Sequence, residues 1–267
     1  MNLEKLCLDV RDIAGMAGAF IAGEREKFNL RDVEIKGKAN FVTYVDRQAE
    51  ELIVGSLGRL LQGSGFIAEE GTGSGSDEKY KWIIDPLDGT TNFIHGIPPF
   101  AVSIALMEHE ELVLGVVYEI TQKEYFYAWK GSKAYMNGTE IKVTKTTSTN
   151  DSLIATGFPY SAMDKLECYI ASMRHFMIHS QGLRRLGSAA TDLAYVAAGR
   201  FDAFYEHGLK PWDVAAGTVI LRQAGGKVSD FNGGDKFLFE GEIVAANDTY
   251  FNEFYDIVHD YFVKSQI

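Results

Sequence analysis

Apolar residues at Leu3, Leu6, Val10, Ile13, Ala17 and Ile21 recur at steps of three and four, which predicts an amphipathic helix opening the chain. A second such pattern, with Ala49, Leu52, Ile53, Leu57, Leu60 and Leu61 on its inner face, predicts a helix from Asp46 to about Gln62. VEIK between them, and FIAEE and WIIDP after them, are short and apolar enough to be strands. From Ala101 to Val143 the pattern turns to strands: SIALME, LVLGVVYE and EYFYAW are β-rich, and Asn137-Gly138 marks a hairpin turn. This first lobe, residues 1–150, reads as helices on a mainly antiparallel sheet.

From Asp151 the pattern alternates. SLIAT, a helix near Asp164 to His179, GLRRL, a helix opening at Ser188, FDAFYE, a helix from Trp212 and EIVAAN predict a smaller α/β lobe, residues 151–267. The closing helix lines up Phe251, Phe254, Tyr255, Val258, Tyr261 and Phe262, a stripe that belongs to the core or to an oligomer interface. No Pro- or Ser-rich linker divides the lobes, so residues 1–267 are expected to form one unit.

Composition narrows the class of function. With 26 Lys and Arg against 37 Asp and Glu, the net charge of −11 repels nucleic acid and anionic membrane, so neither is expected as a primary partner. No apolar run approaches the roughly 18 to 20 residues that span a bilayer. Charged residues at Glu4, Lys5, Asp9 and Arg11 break any secretory apolar core, which predicts a cytoplasmic location. Cys7 and Cys168 form no CxxC or Cys/His cluster, so both read as small buried or half-buried apolar residues.

The stretch WIIDPLDGTTNF, Trp82 to Phe93, carries the most chemistry. An apolar strand delivers Asp85, Pro86 fixes the following turn, and Asp88 comes three residues later, before Gly89-Thr90-Thr91. Carboxylates at a strand end suit magnesium, and the N–H groups of Gly89 and Thr90, if they open a helix, suit a phosphate. Taken alone the motif also fits a plain type I turn. Glu69 and Glu70 end FIAEE, and Asp213 follows Trp212 at a helix start, so acidic element ends recur as a carboxylate-lined cleft between two lobes would need.

The order DPLDGTTNF, with AEE upstream and WDVAAG downstream, resembles the inositol monophosphatase family. The resemblance extends to KGKANFVTYVD, ATGFPY, RRLGSAATDLAYVAAGRFDAFYE and VAAN, and so covers essentially the whole chain. It implies a layered αβαβα sandwich of α+β and α/β character, like that of the fructose bisphosphatases, with the metal site between two lobes. It also implies a lithium-sensitive phosphatase using two to three Mg²⁺ ions, and a homodimer. Carried over, it gives Glu69, Asp85 and the Leu87 carbonyl to one metal and Asp85, Asp88 and Asp213 to a second, with a third, weaker ion also on Glu69. The attacking water would lie near Glu69 and the Thr90 hydroxyl. Glu206, Asp88 and the backbone at Ser188 and Ala189 would hold the hydroxyls of the alcohol portion. The phosphate would sit at Gly89 and Thr90, and Lys36 is also picked out.

A phosphatase of the haloacid dehalogenase type needs D-x-D-G-T, but two residues before Asp88 stands Pro86, which has no nucleophilic atom. The substrate is expected to be a small sugar or polyol phosphate, myo-inositol monophosphate first. Fructose bisphosphate, histidinol phosphate, dinucleotide phosphate and phosphoadenosine phosphate are the alternatives within the family. An interaction protein of a transcription complex is the reading from another class. GTGSGS, Gly71 to Ser76, lacks the Walker Lys and reads as a connector; His175 and His179 at i and i+4 lack an acidic third metal ligand; His95 and His207 would at most line the cleft.

Overall fold

The computed structural model describes residues 1–27, 33–35, 41–72, 78–158, 160 and 163–264. Lys36 and most of the GTGSGS connector lie outside the described residues. The opening helix is α1, Leu3–Lys27, and the second is α2, Tyr44–Leu60. A short pair, β1 (Val33–Ile35) and β2 (Phe41–Thr43), lies between them. Seven strands then form one sheet in the order β3 to β9: Gly65–Ala68, Tyr80–Asp88, Ala101–Glu108, Glu111–Glu119, Glu124–Trp129, Ala134–Met136 and Thr139–Ile141. All neighbours pair antiparallel except β3 and β4. A short helix, α3 (Thr90–His95), follows β4. Asn137 and Gly138 both take positive φ between β8 and β9, the two-residue hairpin turn that their side chains favour.

The second lobe contains β10 (Leu153–Thr156), α4 (Leu166–His179), β11 (Gly182–Arg184), α5 (Ala189–Ala197), β12 (Ala203–His207) and α6 (Pro211–Gln223). After these come β13 (Gly226–Ser229), α7 (Phe237–Glu240), β14 (Glu242–Asn247) and α8 (Phe251–Phe262). Its five strands run β11-β10-β12-β14-β13, with β10 parallel to its two neighbours and the other pairs antiparallel. β13, which the alternation did not announce, is a short half-exposed strand between a helix and a loop.

Helices α1 and α2 cover one face of the large sheet, α5 and α6 fill the space between the sheets, and α4 and α8 cover the far face of the small one. This is the expected αβαβα layering, and it explains why the strands read as nearly continuous apolar runs: both sheets are buried on both faces. On β5, Val102, Ile104 and Leu106 pack under α1 and α2, whereas Ala101, Ala105 and Met107 face α6. Gly115 of β6 lets α6 lie close to the sheet, because a Cβ there would stand 3.0 Å from the Ala216 Cα. Phe254, Val258 and Phe262 of the closing stripe are buried against the small sheet.

Candidate active site

Strand β4 does not end at Pro86 in a turn; it runs on to Asp88 through a bulge. Asp85 lies opposite Ser103 and Asp88 opposite Ala101, so β4 advances three residues while β5 advances two. In a regular strand, residues three apart point to opposite faces; the extra residue returns Asp88 to the face of Asp85. Both aspartates therefore face the α5–α6 layer, while Leu87 packs on the other side. Proline is tolerated here because a bulge leaves one residue out of the ladder.

Asp213 comes from the first turn of α6, where its Oδ2 accepts the Lys210 N–H at 2.7 Å. It is thus a helix cap and also a member of the cluster, since carboxylate oxygens of Asp85, Asp88 and Asp213 all lie within 4.8 Å of one another. The Ser103 hydroxyl, beside Asp85 in the ladder, donates to the Trp212 carbonyl at 3.1 Å and ties this helix end to the sheet. Asp85 accepts the Leu87 N–H at 2.9 Å. Asp88 accepts the Ser188 hydroxyl at 2.7 Å and the Ala190 N–H at 2.8 Å. Ser188 also caps α5 by accepting the Thr191 N–H, so the start of α5 is bound to the large sheet through Asp88.

Glu69 sits in the turn after β3, its N–H donating to the Ile84 carbonyl at 3.3 Å. Burial and the charges of Asp213 and Asp46 push its carboxyl up to about 8. Burial and Asp88 raise Asp213 to about 7, and burial raises Asp88 to about 6 against its hydrogen bonds from Ser188 and α5. Asp85, enclosed and ringed by Glu69, Asp88 and Asp213, is held well above the usual carboxylate range. Such hard oxygen donors, repelling one another in a buried site, fit a divalent cation, which relieves the repulsion when it binds.

Gly89 caps the short helix α3 with φ of 89°, and a Cβ there would lie 3.0 Å from the Pro99 carbonyl oxygen, so both conformation and space call for glycine. The Thr90 hydroxyl donates to the Leu87 carbonyl at 3.0 Å, with Asp46 Oδ1 3.4 Å away. Asp46 and Glu50, both buried on α2, were not singled out from the sequence. Glu50 accepts the Glu70 and Thr72 N–H groups at 2.8 and 2.7 Å and so shapes the turn that presents Glu69. Their signal was available: an acidic pair at i and i+4 on the face of α2 that also carries Ala49, Ile53 and Leu57.

On the small sheet, Phe204 of β12 faces the α5–α6 layer and Tyr205 faces α4 and α8. Alternation sends Glu206 inward with Phe204, and burial together with Asp213 and Asp88 pushes its carboxyl up to about 8 against the opposing Arg185 charge. The same alternation sends His207 outward, 3.7 Å from Asp164 and 3.8 Å from Glu242, so it does not line the cleft. His95 is exposed at the end of α3. The rings of His175 and His179 lie 4.7 Å apart on α4, tilted 47° to each other, and no third metal-binding donor joins them among the described residues. No helix of the described residues is long and apolar enough to cross a membrane.

Comparison with known proteins identifies the family. The family model for the inositol monophosphatase family matches residues 4–261. An inositol-1-monophosphatase of Mesorhizobium japonicum is 45% identical over 81% of this chain and 82% of its own. A protein of Pseudomonas aeruginosa named Nus factor SuhB is 44% identical over 88% of each. The solved inositol monophosphatase of Anabaena superposes with a TM-score of 0.86 at 35% identity, covering 97% of this chain and 96% of that one. The chain belongs to the inositol monophosphatase family.

Proposed function

We propose that this protein is a Mg²⁺-dependent phosphomonoesterase acting on a small polyol phosphate, myo-inositol monophosphate first. The observation that carries the reading is the convergence of Asp85, Asp88 and Asp213 from both halves of the chain beside Glu69. Glu69, Asp85 and the Leu87 carbonyl would hold one ion, Asp85, Asp88 and Asp213 a second, and Glu69 a third, weaker one. Bound magnesium supplies Lewis acidity and neutralises charge on the phosphoryl and leaving oxygens. Thr90, its proton held toward the Leu87 carbonyl with Asp46 nearby, would offer an acceptor lone pair to the attacking water, and Glu69 would meet the same water. The N–H groups of Gly89 and Thr90 would face the phosphate, and Asp88, Ser188, Ala189 and Glu206 the alcohol hydroxyls.

Phosphate release should be screened over inositol monophosphate, fructose bisphosphate, histidinol phosphate, a dinucleotide phosphate and phosphoadenosine phosphate, with and without EDTA. Preference for inositol monophosphate, loss in EDTA and inhibition by lithium are expected; undiminished turnover in EDTA rejects the reading. We place the protein in the cytoplasm as a homodimer whose two lobes act as one unit. Exposed Ile170, Met177 and Ile178 on α4 offer an apolar surface for the second copy, and sedimentation tests this. A second reading, an interaction protein of a transcription complex, is favoured by the name of the Pseudomonas relative. Rescue of a deletion phenotype by inactive Asp88→Asn protein would support it.

A further inference from the structure

Gly157 directly follows β10. Strands β10 and β12 pair in parallel with Thr156 beside Tyr205, so the next residues along the two strands, Gly157 and Glu206, are neighbours just beyond the ladder. A Cβ at residue 157 would overlap the Glu206 carboxylate: its three nearest atoms would be Oε1, Cδ and Oε2 of that side chain, all far inside contact distance. The backbone gives no other reason for glycine, since φ at Gly157 lies outside the left-handed region. The space left by the missing side chain is filled by a carboxylate.

If a methyl were added, either the backbone or the carboxylate would have to yield. The backbone is fastened: the Thr156 hydroxyl donates to the Tyr205 carbonyl at 2.8 Å and meets the Tyr169 hydroxyl. Tyr169 and Tyr205 are fully buried and stacked with centroids 5.4 Å apart. The Glu206 carboxylate is the far end of a flexible chain and moves at lower cost. A residue larger than glycine would therefore disturb the position of Glu206 more than the stability of the fold.

We propose that Gly157 is a positioning residue for substrate specificity: its bare Cα lets the Glu206 carboxylate lie where it meets the hydroxyls of a polyol phosphate. This rests on the reading of Glu206 as the hydroxyl-binding group. Displaced from residue 157, the carboxylate moves away from those hydroxyls, while the phosphate end of the site, on the other sheet, is untouched.

The test compares the parent, Gly157→Ala, Glu206→Ala and the double variant, each with Mg²⁺, on inositol monophosphate and on nitrophenyl phosphate, which has no hydroxyl for Glu206 to bind. Gly157→Ala should lower kcat/KM for inositol monophosphate relative to nitrophenyl phosphate by about 10-fold or more, through loss of a hydroxyl contact. On the Glu206→Ala background the same change should have no further effect on that ratio, and the melting temperature should stay near the parent's. A parental ratio for Gly157→Ala beside a shifted one for Glu206→Ala would overturn the role of Gly157 and leave that of Glu206 standing. Parental ratios for both would overturn the reading of Glu206 itself. Equal losses on both substrates in both backgrounds would mean a structural role only and would also overturn the proposal.

Discussion

On the large sheet, Asp85 and Asp88 are aimed together by one bulge within a single strand, whereas at the small sheet the Glu206 carboxylate occupies space left open because the residue just after the neighbouring strand, Gly157, has no side chain. The first arrangement is local and stiff: the ladder to β5, the Leu87 N–H and the start of α5 hold the two carboxylates from several sides. The second depends on one side chain resting against a bare Cα. Chemistry common to every phosphomonoester belongs on the stiff side. On the proposed reading Asp88, Ser188 and Ala189 also meet the alcohol, but selectivity for one alcohol is tuned most readily on the side that a single substitution can reshape.

The largest expected effect tests the point where the two regions meet. Asp213→Asn keeps an oxygen for the Lys210 N–H but removes a charge from the cluster. Turnover at saturating Mg²⁺ should fall by about 100-fold or more, with the melting temperature nearly unchanged. Near-parental turnover would mean that Asp213 is only a cap. Next, Glu206→Gln should change the preference between inositol monophosphate and nitrophenyl phosphate by about 10-fold while altering the aryl phosphate rate less. Matching preferences in parent and variant would end the contrast between the two sides.

A third effect concerns pH in the absence of metal. Glu69, Asp213 and Asp88 stand at about 8, 7 and 6 in the folded protein, above their values in the unfolded chain. Between about pH 4 and pH 8 the unfolded state therefore binds fewer protons, and stability falls as pH rises. In EDTA the melting temperature should drop from pH 5 to about pH 8, Mg²⁺ should restore more at the higher pH, and Asp213→Asn should flatten the slope. A metal-free melting temperature that rises over this range would contradict the arrangement. The smallest effect is expected for Ser188→Ala, which removes the cap of α5 and one hydrogen bond to Asp88. It should cost about 1 kcal/mol of stability, read by denaturant unfolding, and slow turnover less than Asp213→Asn. A larger loss of turnover than in Asp213→Asn would mean that the link between α5 and the large sheet governs the cluster.

Much of this was legible in the chain. The period of Leu3 to Ile21 predicted α1, Asn137-Gly138 predicted its hairpin, and DPLDG with AEE and WDVAAG pointed to the acidic cluster. Such features are local: helical and strand periods, turn residues and short motifs act over a few neighbouring residues. The turn expected at Pro86 was the local error, because a type I turn and a bulged strand use the same short residue pattern and only pairing with β5 separates them. Asp46 and Glu50 were legible only in part, as polar residues on an apolar helix face, and their partners at Thr90 and the turn after β3 lie far along the chain.

What the sequence determined by itself was most of the elements, the supply of carboxylates and the family to which they belong. Tertiary structure decided which of those groups meet. It placed Asp213 beside Asp85, turned Glu206 inward and His207 outward, and set Glu206 against Gly157. The reason is physical: periodicity states that a residue is on a face, but which face is the cleft depends on how sheets and helices stack, through contacts between residues distant in sequence.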